Sequence, residues 1–127
     1  MIALDTSALL AIVLNEPMAS GCTRAVTEAD RILISAGTMA EALMVAQYRL
    51  IGDEMRDLLA RLDIEVIPVT QVVAERVASA SRRWGKGVHP AGLNYGDCFA
   101  YALAEEYDCP LLYIGNDFAQ TDIRSAL

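Results

Sequence analysis

Four acidic residues fall where a folded chain could use them for chemistry. Asp5 directly follows the apolar triplet Ile2-Ala3-Leu4, and Glu41 lies shortly beyond the run Arg31 to Ser35. Asp97 sits near the start of the stretch LNYGDCFAYALA, Leu93 to Ala104, and Asp117 trails the run Pro110 to Ile114 by three residues. If the apolar runs are strands of an open parallel sheet, their ends and the helix starts that follow gather at one edge, where ligands bind in such sheets. Taken singly, each acid has a local use: Asp5 as a helix cap, Glu41 in a capping box with Thr38, Asp97 in another with Asn94, Asp117 in a turn. Taken together they repel one another, more strongly as water is excluded, and a divalent cation relieves that repulsion. Oxygen donors with no imidazole or thiolate beside them select hard ions, Mg2+ or Mn2+ ahead of zinc. Cys98 adjoins Asp97 but is out of phase on a helix and is expected in the core.

Missing partners narrow the chemistry. His89 is the only histidine, which excludes a two-histidine acid–base mechanism, and there is no G-x-S-x-G elbow for a serine triad. Gly85-Lys86-Gly87 matches neither phosphate-cradling glycine motif, which argues against nucleotide-driven or dinucleotide chemistry. Metal-assisted hydrolysis is what remains. A phospho-receiver domain also places aspartates at strand ends, but it needs a lysine after a late strand, and the single lysine, Lys86, precedes the last helix.

The elements that must position these acids can be read from apolar spacing. Strands are expected at Ile2 to Leu4, Arg31 to Ser35, Glu65 to Val69 and Pro110 to Ile114, with Pro68 marking an edge or an end. Helices are expected from Ala8 to Leu14, from Pro17 to about Ala29 with Met18, Cys22 and Val26 inward, and from Thr38 to Leu50 with Met39, Leu43, Ala46 and Leu50 inward and Gly52 as its stop. Further helices are expected from Asp53 to Leu62, from a Thr70 cap to Trp84, and after an Asn94 cap. Strands alternating with helices indicate an α/β fold around a mainly parallel sheet.

At 127 residues and 54% hydrophobic content the chain is most economically a single domain, 1–127. Cys22, Cys98 and Cys109 are widely spaced and odd in number, which speaks against a disulfide framework and fits a reducing, cytoplasmic setting. The beginning of the chain lacks a basic leader, and no uncharged run reaches the ~18 residues of a membrane span. The net charge of −7 opposes nucleic-acid binding by the surface as a whole, but it is unevenly spread. Between Glu75 and Asp97 there is no acid, and Arg76, Arg82, Arg83 and Lys86 give that window +4 against −11 for the remainder. This is compatible with a phosphate-facing lip and equally with a solvated helix end.

The pattern Leu4-Asp5-Thr6-Ser7-Ala8-Leu9, Ala40-Glu41-Ala42, the run GKGVHPAGLNYGDCF from Gly85 to Phe99, and Gly115-Asn116-Asp117-Phe118 with Thr121-Asp122-Ile123 resembles the PIN domain, and most closely its VapC toxins. The resemblance spans essentially the whole chain. It implies a three-layer α/β/α sandwich and a Mg2+-dependent endoribonuclease (Mn2+ serving in its place) that cuts cellular RNA, tRNA or ribosomal RNA, and so arrests translation. It also implies a homodimer and silencing by a VapB-type antitoxin. The family's four acids fall on Asp5, Glu41, Asp97 and Asp117, with Asp5 and Asp97 as the direct metal ligands. Thr6 or Ser7 would orient a water or Asp5 itself, Asn94 would support Asp97, and Asp122 would supplement Asp117 or replace it. Arg82, Arg83 and Lys86 are the residues expected to touch RNA. Two alternatives share these residues: a catalytically silent PIN-like protein that only binds an antitoxin, and a metal-dependent nuclease acting on DNA.

Overall fold

The computed structural model describes residues 1–127. Its strands are β1 (Ile2–Leu4), β2 (Ile32–Ser35), β3 (Ile64–Ile67) and β4 (Leu111–Leu112), and its helices are α1 (Thr6–Val13), α2 (Ala19–Glu28), α3 (Ala36–Tyr48), α4 (Gly52–Arg61), α5 (Gln71–Trp84) and α6 (Tyr95–Glu106), with a 3₁₀ turn at Phe118–Gln120. The strands form one sheet in the order β3-β2-β1-β4, every pairing parallel. β1 is therefore interior and carries Asp5 at its carboxyl end, while β3 lies on an edge, as Pro68 behind it predicts.

Side chains alternate across the sheet with the period of two that extended backbone imposes. Ile2, Leu4, Ile32, Ile34 and Leu112 enter one core with residues of α1, α2, α3 and α4, whereas Ala3, Leu33 and Leu111 enter a second with α5 and α6. Helices thus cover both faces, giving the expected α/β/α sandwich. In α6 every residue from Cys98 to Ala104 is buried, which explains an apolar character all around that helix.

Several boundaries and faces differ from the sequence-based expectation. Pro17 does not open α2; it lies in the turn before Ala19, and Met18 is 46% exposed while Ala19 takes the inward place beside Cys22 and Val26. α3 begins two residues earlier than expected because Ser35, its hydroxyl accepting from the Gly37 N–H at 3.2 Å, provides the cap. Thr38 is consequently inside the helix and buried, and the Thr38–Glu41 capping box does not exist. The deeply buried stripe of α3 is Thr38, Ala42 and Ala46, since small side chains admit close approach of neighbouring helices, while Leu50 is 90% exposed. Leu50, at φ 60°, makes the reversal after α3, and Gly52 opens α4 instead of stopping α3. Thr70 and Asn94 cap α5 and α6 as expected.

Candidate active site

Asp5 is both a cap and something more. Its Oδ2 accepts from the Ser7 N–H at 3.0 Å and from the Ser7 hydroxyl at 2.5 Å, closing the first turn of α1. Its Oδ1 is buried with no hydrogen-bond partner at all. A half-paired carboxylate is costly in an apolar interior, and burial accordingly pushes its pKa upward against the Ser7 hydrogen bonds, with the Glu41 charge adding to the rise. Ser7 does a second job: its Oγ accepts from the Ile114 N–H at 3.0 Å, which ties the chain leaving β4 to the carboxyl end of β1.

Asp97 repeats the arrangement at the start of α6. Its Oδ2 accepts from the Asn94 N–H at 3.0 Å while Asn94 Oδ1 accepts from the Asp97 N–H at 2.8 Å, a complete capping box that leaves Asp97 Oδ1 without a hydrogen bond. The carboxyl is pushed up to about 6, first by burial and then by the charges of Asp5, Asp117 and Glu41, against the lowering effect of the Asn94 N–H. The charges of the other three acids are thus felt at Asp97. Glu41, in the second turn of α3, receives the Thr6 hydroxyl on Oε1 at 2.6 Å and lies against Gly96, the residue before Asp97. Asp117 is exposed and leads into the 3₁₀ turn, making no side-chain cap bond.

The remaining expected residues divide. Asn94, Thr6 and Ser7 each hold one of the acids by the contacts above. Asp122 belongs elsewhere: its Oδ1 accepts from the Tyr101 hydroxyl at 2.7 Å and its Oδ2 from Arg83 at 3.2 Å, so it anchors the C-terminal segment to α5 and α6 and does not stand in for Asp117. Arg83 also pairs with Glu105 at 2.8 Å, so its guanidinium is already committed to two carboxylates. Arg82 and Lys86 are exposed and form no ion pair. Two contacts escaped sequence reasoning: the Ser7–Ile114 tie and the approach of Glu41 to Gly96. Only the D-T-S and G-D adjacencies hinted at them.

No three acidic, histidine or cysteine side chains stand close enough together to enclose a metal by themselves. The donor set nonetheless fits a hard dication, because Asp5 contributes a buried oxygen with no partner and Asp97 an oxygen free of hydrogen bonds. Mg2+ is commonly held by one or two carboxylates and keeps several waters, so an enclosing cage is not required.

A parallel sheet with carboxylates beyond its strand ends, three of them propped by a hydroxyl or a cap, defines a class of acidic-site α/β protein. The chain belongs to the PIN domain family, whose model matches residues 2–124. It is 43% identical to a VapC ribonuclease of Mycobacterium bovis and to ribonuclease VapC30 of Mycobacterium tuberculosis, in each case over 94% of both chains. It is 40% identical to a ribonuclease VapC of Mycolicibacterium smegmatis, over 94% of this chain and 95% of the other. Among solved structures it superposes on VapC20 of M. tuberculosis, described as a sarcin-ricin loop cleaving toxin, with a TM-score of 0.79 at 16% identity over 97% and 96% of the two chains. It also matches a toxin–antitoxin complex from Klebsiella pneumoniae with a TM-score of 0.74 at 19% identity, covering 100% of this chain and 98% of that one. These last two likenesses establish the fold.

Proposed function

We propose that this chain is the toxin of a toxin–antitoxin pair, a Mg2+-dependent endoribonuclease (Mn2+ substituting) that hydrolyses cellular RNA, tRNA or ribosomal RNA, and so arrests translation, with a VapB-type antitoxin as its neutralising partner. The ribonuclease names of relatives 40–43% identical over nearly the full chain support the reaction class. The observation that carries the catalytic reading is the buried, unpartnered Oδ1 of Asp5 in the field shared with Asp97, Glu41 and Asp117. An orphaned carboxylate oxygen is a persistent cost to folding unless it serves a bound cation.

Asp5 and Asp97 would hold the ion. When bound, it supplies positive charge that offsets the acids and the phosphodiester undergoing attack. Ser7 and Asn94 each fix one oxygen of the two ligating carboxylates and leave the other oxygen free. Glu41, with Oε1 fixed by Thr6, has Oε2 available to position the attacking water or to take its proton, and Asp117 is the alternative acceptor. Arg82 and Lys86 are the residues we assign to the RNA backbone; Arg83 is set aside for the reason given above. A homodimer is part of the same reading.

The test is cleavage of total RNA by the purified chain with Mg2+ or Mn2+, with EDTA, and by Asp97→Asn. Cleavage that requires the metal and is abolished by the substitution, with antitoxin binding retained, is the expected result. A wild-type chain that binds an antitoxin yet cuts no RNA with either ion would establish the silent binding role, and cleavage confined to DNA would establish the other alternative.

A further inference from the structure

Two glycines lie where α3 meets α6, and each receives a side chain of the opposite helix. A Cβ on Gly37 of α3 would stand 2.5 Å from Cδ1 of Phe99, and a Cβ on Gly96 of α6 would stand 2.5 Å from Cδ of Glu41 and 2.9 Å from its Oε1, with Oε2 nearer still. Real Cβ atoms essentially never come within 3.0 Å of such neighbours. Neither glycine has a positive φ, so backbone conformation does not call for glycine at either place. Glycine inside a helix carries an entropic penalty relative to alanine, and here what it provides is the absent side chain.

We propose that Gly96 is a positioning residue: its bare Cα forms the seat that holds the Glu41 carboxylate against the first turn of α6, beside Asp97. Glu41 is then gripped on two sides, by the Thr6 hydroxyl at Oε1 and by Gly96 along the Oε2 edge. A methyl group at position 96 requires the carboxylate, the free end of its side chain, to swing away from α6. The exit open to it is the groove of about 350 Å³ between α3 and α6, lined by Met44, Val45, Tyr48 and Tyr95, which takes the carboxylate away from Asp97. Leaving the seat also breaks the Thr6 bond. The catalytic consequence rests on the ribonuclease reading above; the seat itself does not.

A double-mutant cycle on the whole chain separates the two. An aspartate side chain at position 41 is one methylene shorter and does not reach the space above Gly96. Gly96→Ala should therefore be harmful beside the native Glu41 and nearly harmless once Glu41→Asp is in place. The expected result is a less favourable Tm change on Gly96→Ala beside the native Glu41 than in the Glu41→Asp background, where the helix preference of alanine is unopposed. RNA cleavage should fall by about 10²-fold for Gly96→Ala alone, the scale of a misplacement near 1 Å, and by less than about threefold in the Glu41→Asp background. Gly37→Ala is the control, since it meets Phe99 and no carboxylate, and its effects should add to those of Glu41→Asp. Additive effects of Gly96→Ala and Glu41→Asp would overturn the proposal. Should Gly96→Ala fail to fold, the Gly96→Ala/Glu41→Ala variant folds if the carboxylate is the obstacle, and its failure to fold would likewise overturn the seat. Coupling in Tm combined with no RNA cleavage by the wild type would leave the seat standing and remove the ribonuclease reading.

Discussion

The carboxyl group of Asp97 sits near 6 where 3.8 is ordinary, and the sign of its effect on stability follows directly. Between those values the folded protein retains a proton that the unfolded chain has released, so the group's contribution is intact below about pH 4 and lost as pH rises through about 6, with an upper size of roughly 3 kcal/mol. Asp97→Asn retains a capping oxygen but cannot ionise. It is expected to raise the Tm of the metal-free chain at about pH 7.5 and to leave it unchanged near pH 4, because only the ionised form carries the penalty. Added Mg2+ should raise the Tm of the wild type at neutral pH and have little effect on the variant. Thermal melts at the two pH values with and without Mg2+ check this, and an equal shift at both pH values would contradict it. Ser7 supplies the second residue-level prediction. Ser7→Ala removes a 2.5 Å bond to Asp5 and the partner of the Ile114 N–H, and is expected to lower cleavage about 10–100-fold, as loss of an orienting partner behind a ligand does. A cleavage assay at saturating Mg2+ measures it, and an unchanged rate would remove Ser7 from any orienting role.

At the scale of elements, the first turn of α6 is where stability and activity meet. The capping box of Asn94 and Asp97 satisfies the backbone N–H groups of both residues and at the same time fixes one oxygen of Asp97. Asn94→Ala is expected to cost about 1 kcal/mol of stability, read by denaturant unfolding, and to reduce cleavage by more than that loss explains, because Asp97 is no longer held from both sides. This box was legible from the spacing N-x-x-D, a purely local pattern. The start of α3 was not, because Ser35 and Thr38 are both competent caps and the choice depends on where β2 ends and on Thr38 finding a buried place between helices. Of the expected inward face of α3, Met39 and Leu43 do pack against the core at its margin and Ala46 lies within it, but Leu50 misled: it lies beyond the helix end, where the helical period no longer holds.

For the molecule as a whole, the acid-poor window ends beside the helix that carries Asp97: Lys86 lines one cavity with Asn94 and Tyr95 at the start of α6. Arg82 and Lys86 remain unpaired near the end of α5 and the loop after it, while the acids gather at the strand ends. Arg82→Ala with Lys86→Ala is expected to reduce the slope of log affinity for RNA against log salt by roughly 1–2, measured with an inactive Asp97→Asn background; an unchanged slope would dismiss these two residues as phosphate contacts. The outer face of α3 and the turn after it carry Met44, Tyr48 and Leu50, at 57%, 82% and 90% exposure. Exposed apolar side chains so grouped suit an interface between copies of the chain. Tyr48→Glu with Leu50→Glu is expected to shift the chain from dimer to monomer by light scattering, with the fold unchanged by circular dichroism. A wild type that is monomeric would end that assignment.

From the sequence by itself came the α/β class, the alternation of strands and helices, the caps at Asp5 and Asn94, and the proposal that four carboxylates share a hard-ion site. These follow from period, capping chemistry and donor type, which are properties of neighbours along the chain. Only the tertiary structure decided which oxygen of Asp5 goes unpartnered, that Asp122 and Arg83 are engaged with each other away from the acids, and that Glu41 rests on Gly96. Those depend on side chains separated by dozens of residues meeting at distances near 3 Å, where one methyl group changes the outcome, and no spacing along a chain encodes that fit.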